Sequence, residues 1–233
     1  MQGIILAGGQ GTRLRPYTTV IPKPLMPIGD FSILEVVVRQ LKKYGFKKIV
    51  MAIGHQHQLF MAFFGNGEKW GIEINYFIEE KPLGTVGSIK HIDNLDEDFL
   101  LMNGDILTDL NYNQLMVFHK SHKSVLTIAA HQRSQEMNYG VLEYNSRGLL
   151  RKYSEKPILK FNVSMGVYAV SRKIIEHIPP DEHFDFPALA QKLISEHSRI
   201  YCLPYAGYWM DIGRPDDYAI AIDDFEKMKD IFL

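Results

Sequence analysis

The chain opens with a short apolar run, Gly3 to Ala7, that passes directly into Gly8-Gly9-Gln10-Gly11-Thr12-Arg13. A lysine framed by prolines, Pro22-Lys23-Pro24, stands ten residues after Arg13. An apolar run of this length reads as a buried strand. The glycines at its exit let backbone N–H groups approach an anion closely, and the two cations add charge at fixed places. The arrangement suits a polyphosphate. Two better-known glycine turns do not fit. The P-loop ends in Gly-Lys-Ser/Thr, whereas this segment ends in Gly11-Thr12-Arg13. A dinucleotide fingerprint starting at Gly9 would need a third glycine where Leu14 stands. The stretch from Gly8 to Phe31 is also longer than an ordinary strand-to-helix connection, which separates it from a plain surface turn.

Further strands and helices alternate behind it. Lys48 to Ile53 and Phe99 to Met102 are apolar runs short enough for buried parallel strands. Ser32 with Glu35 makes a capping-box pattern ahead of a helix over Ile33 to Tyr44, which Gly45 stops. A second helix is predicted over His57 to Phe64, before Gly65-Asn66-Gly67. The alternation predicts an α/β fold, Rossmann-like, with a mostly parallel or mixed sheet flanked by helices on both faces. In the second half, Ser124 to His131, Gly140 to Tyr144 and Val163 to Val170 read as strands. Helices are predicted over Ser171 to Ile178, Asp185 to His197 and Pro215 to Met228, with Asp185 and Pro187 as a helix start. No internal repeat, low-complexity tract or linker interrupts the pattern. One domain over residues 1–233 is expected.

The formal net charge is −1, so no global basic field argues for nucleic acid or an anionic membrane, and any phosphate attraction must be local. Cys202 is the single cysteine, which excludes an intrachain disulfide and points to a reducing cytoplasm. Its setting, Tyr201-Cys202-Leu203, reads as a buried strand thiol. No charged segment precedes an apolar core at the amino terminus, and no run of 18 apolar residues occurs, so neither a targeting segment nor a membrane span is expected.

Asp105 follows an apolar run in Leu101-Met102-Asn103-Gly104-Asp105, at the carboxyl end of a strand, where open α/β sheets bind ligands. Asp211 lies in Tyr208-Trp209-Met210-Asp211-Ile212-Gly213, 106 residues later. Two carboxylates converging from distant strands suit Mg²⁺, a hard cation that takes few protein ligands and keeps water and phosphate oxygens.

The amino-terminal stretch resembles the signature of the sugar nucleotidyltransferases, G-x-G-T-R-x-x-P-x-T…P-K-P. Gly9, Gly11, Thr12, Arg13, Pro16, Thr18, Pro22, Lys23 and Pro24 match it position by position. The resemblance continues through Glu79 to Gly84, Asn103-Gly104-Asp105, Glu155-Lys156-Pro157 and Trp209 to Gly213, and so covers nearly the whole chain. In pattern it is most similar to the mannose-1-phosphate guanylyltransferases and related guanylyltransferases. Some members carry a left-handed β-helix after the catalytic domain. No hexapeptide repeat follows here, so the allosteric or acyltransferase roles tied to that extension are not expected.

The resemblance implies a nucleotide-sugar biosynthetic transferase. An NTP, favoured to be GTP, and a hexose or heptose 1-phosphate would give an NDP-sugar and pyrophosphate, as in the supply of polysaccharide precursors. Catalytic roles fall on Arg13 for the departing pyrophosphate, Lys23 for the α-phosphate, and Asp105. Nucleotide contacts fall on Leu6, Ala7, Gly8, Gly9, Gly11, Thr12, Arg13, Lys23, Glu79, Pro82, Gly84, Asn103 and Gly104. Sugar-phosphate contacts fall on Tyr139, Gly140, Glu155, Lys156 and Ser164, and metal ligation on Asp105 and Asp211. Arg15 is either an assistant or merely solvated. A homodimer is compatible with the family. Ser164-Met165-Gly166 departs from the usual Asn-Ala-Gly, and serine offers a shorter reach than asparagine, so the sugar pocket differs from that of a typical hexose enzyme.

Glu79 occupies the position that faces the nucleobase. A carboxylate accepts two hydrogen bonds, matching the adjacent N1–H and N2 donors of guanine, whereas uracil and thymine present one donor flanked by acceptors. That favours guanine, although some uridylyltransferases share a Glu-x-x-Pro-Leu segment. Uridylyl, thymidylyl and cytidylyl transfer therefore stay open, as does a catalytically silent sugar-nucleotide-binding subunit. Retention of Arg13, Lys23, Asp105 and Asp211 together argues against the silent subunit. His55 and His57 lack a third ligand and read as a loop or helix start. His119 and His122 fall on one helix face and read as solvent-facing, and Phe60, Phe63 and Phe64 read as core.

Overall fold

The computed structural model describes all residues, 1–233. Thirteen strands follow in chain order: β1 Gln2–Leu6, β2 Pro27–Ile28, β3 Phe31–Ser32, β4 Lys48–Ile53, β5 Glu73–Ile78, β6 Asp98–Asn103, β7 Ile106–Thr108, β8 Leu126–Glu136, β9 Val141–Tyr144, β10 Leu150–Ser154, β11 Ile158–Ser171, β12 Ile200–Tyr205 and β13 Trp209–Asp211. The helices are α1 Ile33–Lys43, α2 His57–Phe64, α3 Gly84–Gly87, α4 Tyr112–Ser121, α5 Phe186–Ser195 and α6 Pro215–Phe232. Seven strands form one sheet in the order β12-β8-β11-β6-β1-β4-β5. β1 runs parallel to both β4 and β6, β4 runs parallel to β5, and β12 runs parallel to β8. β11 alone is antiparallel to its neighbours β6 and β8.

The expected α/β layering holds, for a simple reason of pleat. Along β1, Ile4 and Ile5 are both fully buried but enter different cores. Ile5 packs with Leu34, Val37 and Leu41 of α1, Phe60 and Phe64 of α2, and Leu115 of α4. Ile4 packs with Val86 of α3 and with Leu189 and Leu193 of α5 on the opposite face. A strand apolar on both faces must be covered on both, which is why β1, β4 and β6 read as continuous apolar runs.

A third core fixes the long loop after β1. Leu14, Met26 and Ile28 bury against Ala221 and Phe225 of α6 and against Leu107 and Ile212. The Tyr218 hydroxyl of α6 donates to the Pro27 carbonyl at 2.6 Å. Exposed Arg13 therefore hangs from a buried neighbour, Leu14, on a loop clamped by the carboxyl-terminal helix.

Local signals mostly became the elements they predict. The Ser32 side chain accepts the Glu35 N–H at 3.1 Å and starts α1. Only half of the capping box forms, because the Glu35 carboxylate turns to Arg39 at 2.7 Å and to the Trp70 indole N–H at 3.2 Å. The helix expected over Ser171 to Ile178 is a 3₁₀ helix, Arg172–His177.

Three expectations are corrected. Cys202 is exposed, since β12 is the sheet's edge strand and has only β8 beside it. His119 is buried; it faces the sheet and shares a hydrogen bond of 2.9 Å with the Thr127 hydroxyl of β8. Phe63 is 42% exposed, on the outer side of α2, where it stacks on Trp70, while Phe60 and Phe64 are core.

Beyond His131, β12 ends, and β8 and β11 continue as a two-stranded ribbon from Gln132 paired with Asn162 out to Glu136 paired with Ile158. The β9–β10 hairpin lies between them in sequence. This arm carries Tyr139, which is 77% exposed.

Candidate active site

Chain order places the site. From β1 the sheet grows outward through β4 to β5, and the chain then returns to the other side of β1 as β6. Strand order reverses between β1 and β6, and open parallel sheets bind ligands at the carboxyl ends of strands at such a point. A cavity of about 470 Å³ lies there. Gly8 follows β1, Asn103 ends β6, and Glu79 follows β5, so three strand ends deliver the cavity's floor.

Of the thirteen nucleotide contacts expected from the sequence, twelve line the cavity: Leu6, Ala7, Gly8, Gly9, Gly11, Thr12, Arg13, Lys23, Glu79, Pro82, Gly84 and Asn103. Gly104 lies beneath the turn instead, its amide bonded to the Leu6 carbonyl at 3.0 Å. Thr85, His183 and Asp185 also line the cavity and were not anticipated. The last two reach it from 100 residues away in sequence, through a contact that carries no local pattern.

The turn's shape depends on glycine at two positions. Gly11 has φ of +62°, and a β-carbon there would lie 3.1 Å from Cβ of Lys23. The Thr18 hydroxyl donates to the Gly11 carbonyl at 2.7 Å and closes the loop. At Gly8 a β-carbon would sit 3.2 Å from a Glu79 carboxylate oxygen, so the absence of a side chain brings β1's exit against Glu79. Burial pushes the Glu79 carboxyl above its ordinary range, and the hydroxyl of Ser88 and the amide of Leu83 oppose that shift.

At the phosphate end, Lys23 stands between two carboxylates. Its ammonium is paired with Asp105, and lies 3.9 Å from Asp211. Asp105 comes from the exit of β6 and Asp211 from β13, which pairs with β7 so that Asp211 faces Ile106. The Lys23 side chain is only 8% exposed, Asp105 is 22% and Asp211 is 45%. The second oxygen of Asp105, Oδ1, is buried without a hydrogen-bond partner. Burial, then the nearby Asp105 charge, raises the Asp211 pKa, while Lys23 and Arg13 pull it down. Two carboxylates thus share a single ammonium and leave an orphan oxygen. That donor set fits a hard divalent cation, which needs few protein oxygens when phosphates and water complete its shell. Arg13 approaches the same end, its guanidinium 3.4 Å from where a β-carbon of Gly213 would stand.

The sugar-side residues lie outside the lining of this cavity. Gly140 abuts the Tyr153 hydroxyl, which donates to Glu155 at 2.7 Å. Lys156 follows in a left-handed conformation, φ +42°, and forms no ion pair. The Ser164 hydroxyl donates to the Tyr168 hydroxyl at 3.0 Å, and Gly166 packs against the Asn103 amide, which links this strand to the nucleotide cavity. The Trp209 indole N–H donates to the Met165 carbonyl at 2.9 Å and ties β13 to β11.

Known proteins are similar to this chain over most of its length. A mannose-1-phosphate guanylyltransferase catalytic subunit beta from Dictyostelium discoideum is 34% identical over 229 residues, which cover 94% of this chain and 62% of that protein. A UTP–glucose-1-phosphate uridylyltransferase from Synechocystis is 30% identical, covering 95% of this chain and 62% of that protein. The chain thus spans 62% of the length of these curated relatives. The crystal structure of HddC from Yersinia pseudotuberculosis complexed with GMP-PN superposes with a TM-score of 0.74 at 27% identity, covering 96% of this chain and 99% of that one. A family model described as nucleotidyl transferase matches residues 2–228, glycine turn and both aspartates included, and the chain belongs to that family.

Proposed function

We propose that this protein is a sugar-1-phosphate guanylyltransferase that joins GTP and a hexose or heptose 1-phosphate into an NDP-sugar with release of pyrophosphate. The observation that carries this reading is the cavity's polarity: a carboxylate, Glu79, lines one part, and Arg13, Lys23 and Asp105 line another, with Asp211 just outside the lining, 3.9 Å from the Lys23 ammonium. A guanine with two adjacent donors suits the first, and a triphosphate suits the second. The HddC complex with GMP-PN supports a guanine nucleotide, and the Dictyostelium relative supports a hexose phosphate acceptor.

In the proposed reaction an oxygen of the sugar 1-phosphate attacks the α-phosphorus in line. A new P–O bond forms as the bond to the β-phosphate oxygen breaks, and pyrophosphate carries away the electron pair. No covalent enzyme intermediate is needed, and the exchange of one phosphoanhydride for another is readily reversed. Lys23, a point charge, meets the reacting α-phosphate, while the guanidinium fork of Arg13 meets the departing pyrophosphate. Lys156, free of any ion pair, binds the incoming sugar phosphate, and Glu155 accepts sugar hydroxyls. Positioning and charge neutralisation supply the acceleration. Nucleotidyltransferases generally use a divalent metal. Asp105 and Asp211 would hold Mg²⁺, which would neutralise phosphate charge. No helix is long and apolar enough to cross a membrane.

The test is a pyrophosphate-release screen with Mg²⁺, crossing GTP, UTP, dTTP, CTP and ATP with mannose, glucose, N-acetylglucosamine and heptose 1-phosphates. Release with GTP and one sugar phosphate supports the reading. Release with UTP alone replaces guanine by uracil, and nucleotide binding without release from any pair overturns the catalytic reading.

A further inference from the structure

Part of the cavity wall is made from two segments far apart in the chain, Leu83–Gly87 and Glu182–Phe186. Their backbones are interlocked. The Phe184 amide donates to the Leu83 carbonyl at 2.9 Å, and the Val86 and Gly87 amides both donate to the Phe184 carbonyl at 3.1 Å. Gly84 has φ of +78°, and a β-carbon there would lie 2.7 Å from the Phe184 carbonyl oxygen.

Asp185 occupies the N-cap position of α5, yet its carboxylate does not cap that helix. Oδ1 instead accepts the Thr85 amide at 2.9 Å and the Thr85 hydroxyl at 3.3 Å. The Thr85 hydroxyl oxygen in turn accepts the N–H of Phe186, the first residue of α5, at 2.7 Å. The starts of α3 and α5 therefore exchange caps. The other carboxylate oxygen faces His183 at 3.8 Å. Thr85, His183 and Asp185 line the same cavity as Glu79, Pro82 and Gly84. Exposed polar pairs contribute little to global stability. Their effect here is positional: the cap exchange decides where the segment bearing Pro82, Gly84 and Thr85 stands beside Glu79.

We propose that Asp185 is a positioning residue for the nucleotide, holding the Pro82–Thr85 wall at the spacing the nucleobase needs without taking part in group transfer. This rests on the reading above in one respect, that a nucleoside triphosphate occupies the cavity.

The test measures GTP binding by calorimetry, and steady-state kinetics, on the full chain and on Asp185→Ala, Asp185→Asn and Thr85→Val. Asp185→Ala is expected to weaken GTP binding about tenfold. KM for GTP should rise in step while kcat and KM for the sugar phosphate stay within about twofold. Asp185→Asn keeps a carbonyl oxygen at the Oδ1 position and should restore GTP affinity. Thr85→Val, which loses the hydroxyl but keeps its amide, should fall between. GTP affinity unchanged in Asp185→Ala overturns the proposal, as does a parallel fall in kcat that Asp185→Asn does not rescue. If Asp185→Ala fails to fold, wild-type affinity in Thr85→Val overturns it. Wild-type protein that binds no nucleoside triphosphate sinks the nucleotide reading and this inference with it, whereas wild-type binding with an unaltered Asp185→Ala sinks only the positioning role.

Discussion

Replacing Lys23 by methionine tests the phosphate end of the site most directly. Methionine keeps an unbranched chain of similar reach and removes the ammonium. Lys23 and Asp105 form a largely buried pair. Removing one partner of a buried pair costs about 3–5 kcal/mol, because the remaining charge is stranded. The second contact, to Asp211 at 3.9 Å, corresponds to about 4 kcal/mol at an effective dielectric of ~20. Asp211 is 45% exposed, however, so solvent screening brings that contribution toward the ~1 kcal/mol of an exposed pair. Water reaching the vacated position offsets part of the sum, and a net loss of about 3 kcal/mol is expected. For a chain of this size that corresponds to a fall in Tm of about 6–12 °C.

The same variant separates charge from packing. With Lys23 gone, the two carboxylates have no internal cation, so saturating Mg²⁺ should raise the melting temperature of Lys23→Met by more than that of wild type. Turnover should fall about 10²–10³-fold, the usual effect of deleting one charge-stabilising group. The assay is calorimetric melting in metal-free buffer and again with Mg²⁺, followed by pyrophosphate release. A metal-free Tm within about 2 °C of wild type, or a Mg²⁺ shift no larger than that of wild type, would refute the reasoning.

Five further outcomes follow from the geometry. Glu79→Gln converts a double acceptor into one donor and one acceptor, a pattern that suits uracil, so the GTP-to-UTP ratio of kcat/KM should fall about 100-fold; unchanged selectivity in a two-substrate competition removes the guanine argument. Burial raises the Glu79 pKa, so GTP affinity measured by calorimetry should decline as pH drops through that raised value, beginning above the ordinary carboxylate range. The same shift makes the folded apoprotein take up a proton more readily than the unfolded chain, so Glu79's contribution to stability is lost as pH rises through that window. Asp211→Ala should abolish metal-dependent turnover while circular dichroism and melting remain near wild type, and normal turnover would remove Asp211 from the metal site. Gly84→Ala forces a side chain into a left-handed residue 2.7 Å from the Phe184 carbonyl and should cost about 2–3 kcal/mol in denaturant unfolding, with loss of GTP binding.

Much of this molecule is written locally. The strand Lys48–Ile53 and the helix His57–Phe64 have the bounds their hydrophobic pattern predicts, because burial on both faces and the glycines that stop a helix are properties of neighbouring residues. The glycine turn, Arg13 and Lys23 were legible for the same reason: their spacing is fixed along one continuous loop. Asp105 could be placed at a strand exit by pattern, but its partnership with Asp211 rested on family resemblance, and only the pairing of β13 with β7 brings the two together. Burial on a sheet edge or a helix face was not legible either. Cys202 sits in an apolar run yet is exposed, since an edge strand lacks one neighbour, and His119 looks solvent-facing yet turns onto the sheet toward the Thr127 hydroxyl. Asp185 shows the limit most clearly. Its sequence setting is an ordinary helix start, and its carboxylate nonetheless caps Thr85, 100 residues away. Sequence determined the elements and the charges of the site, because those depend on contacts within a few residues. Tertiary structure decided which charges meet, because a hydrogen bond between distant segments leaves no periodicity in either one.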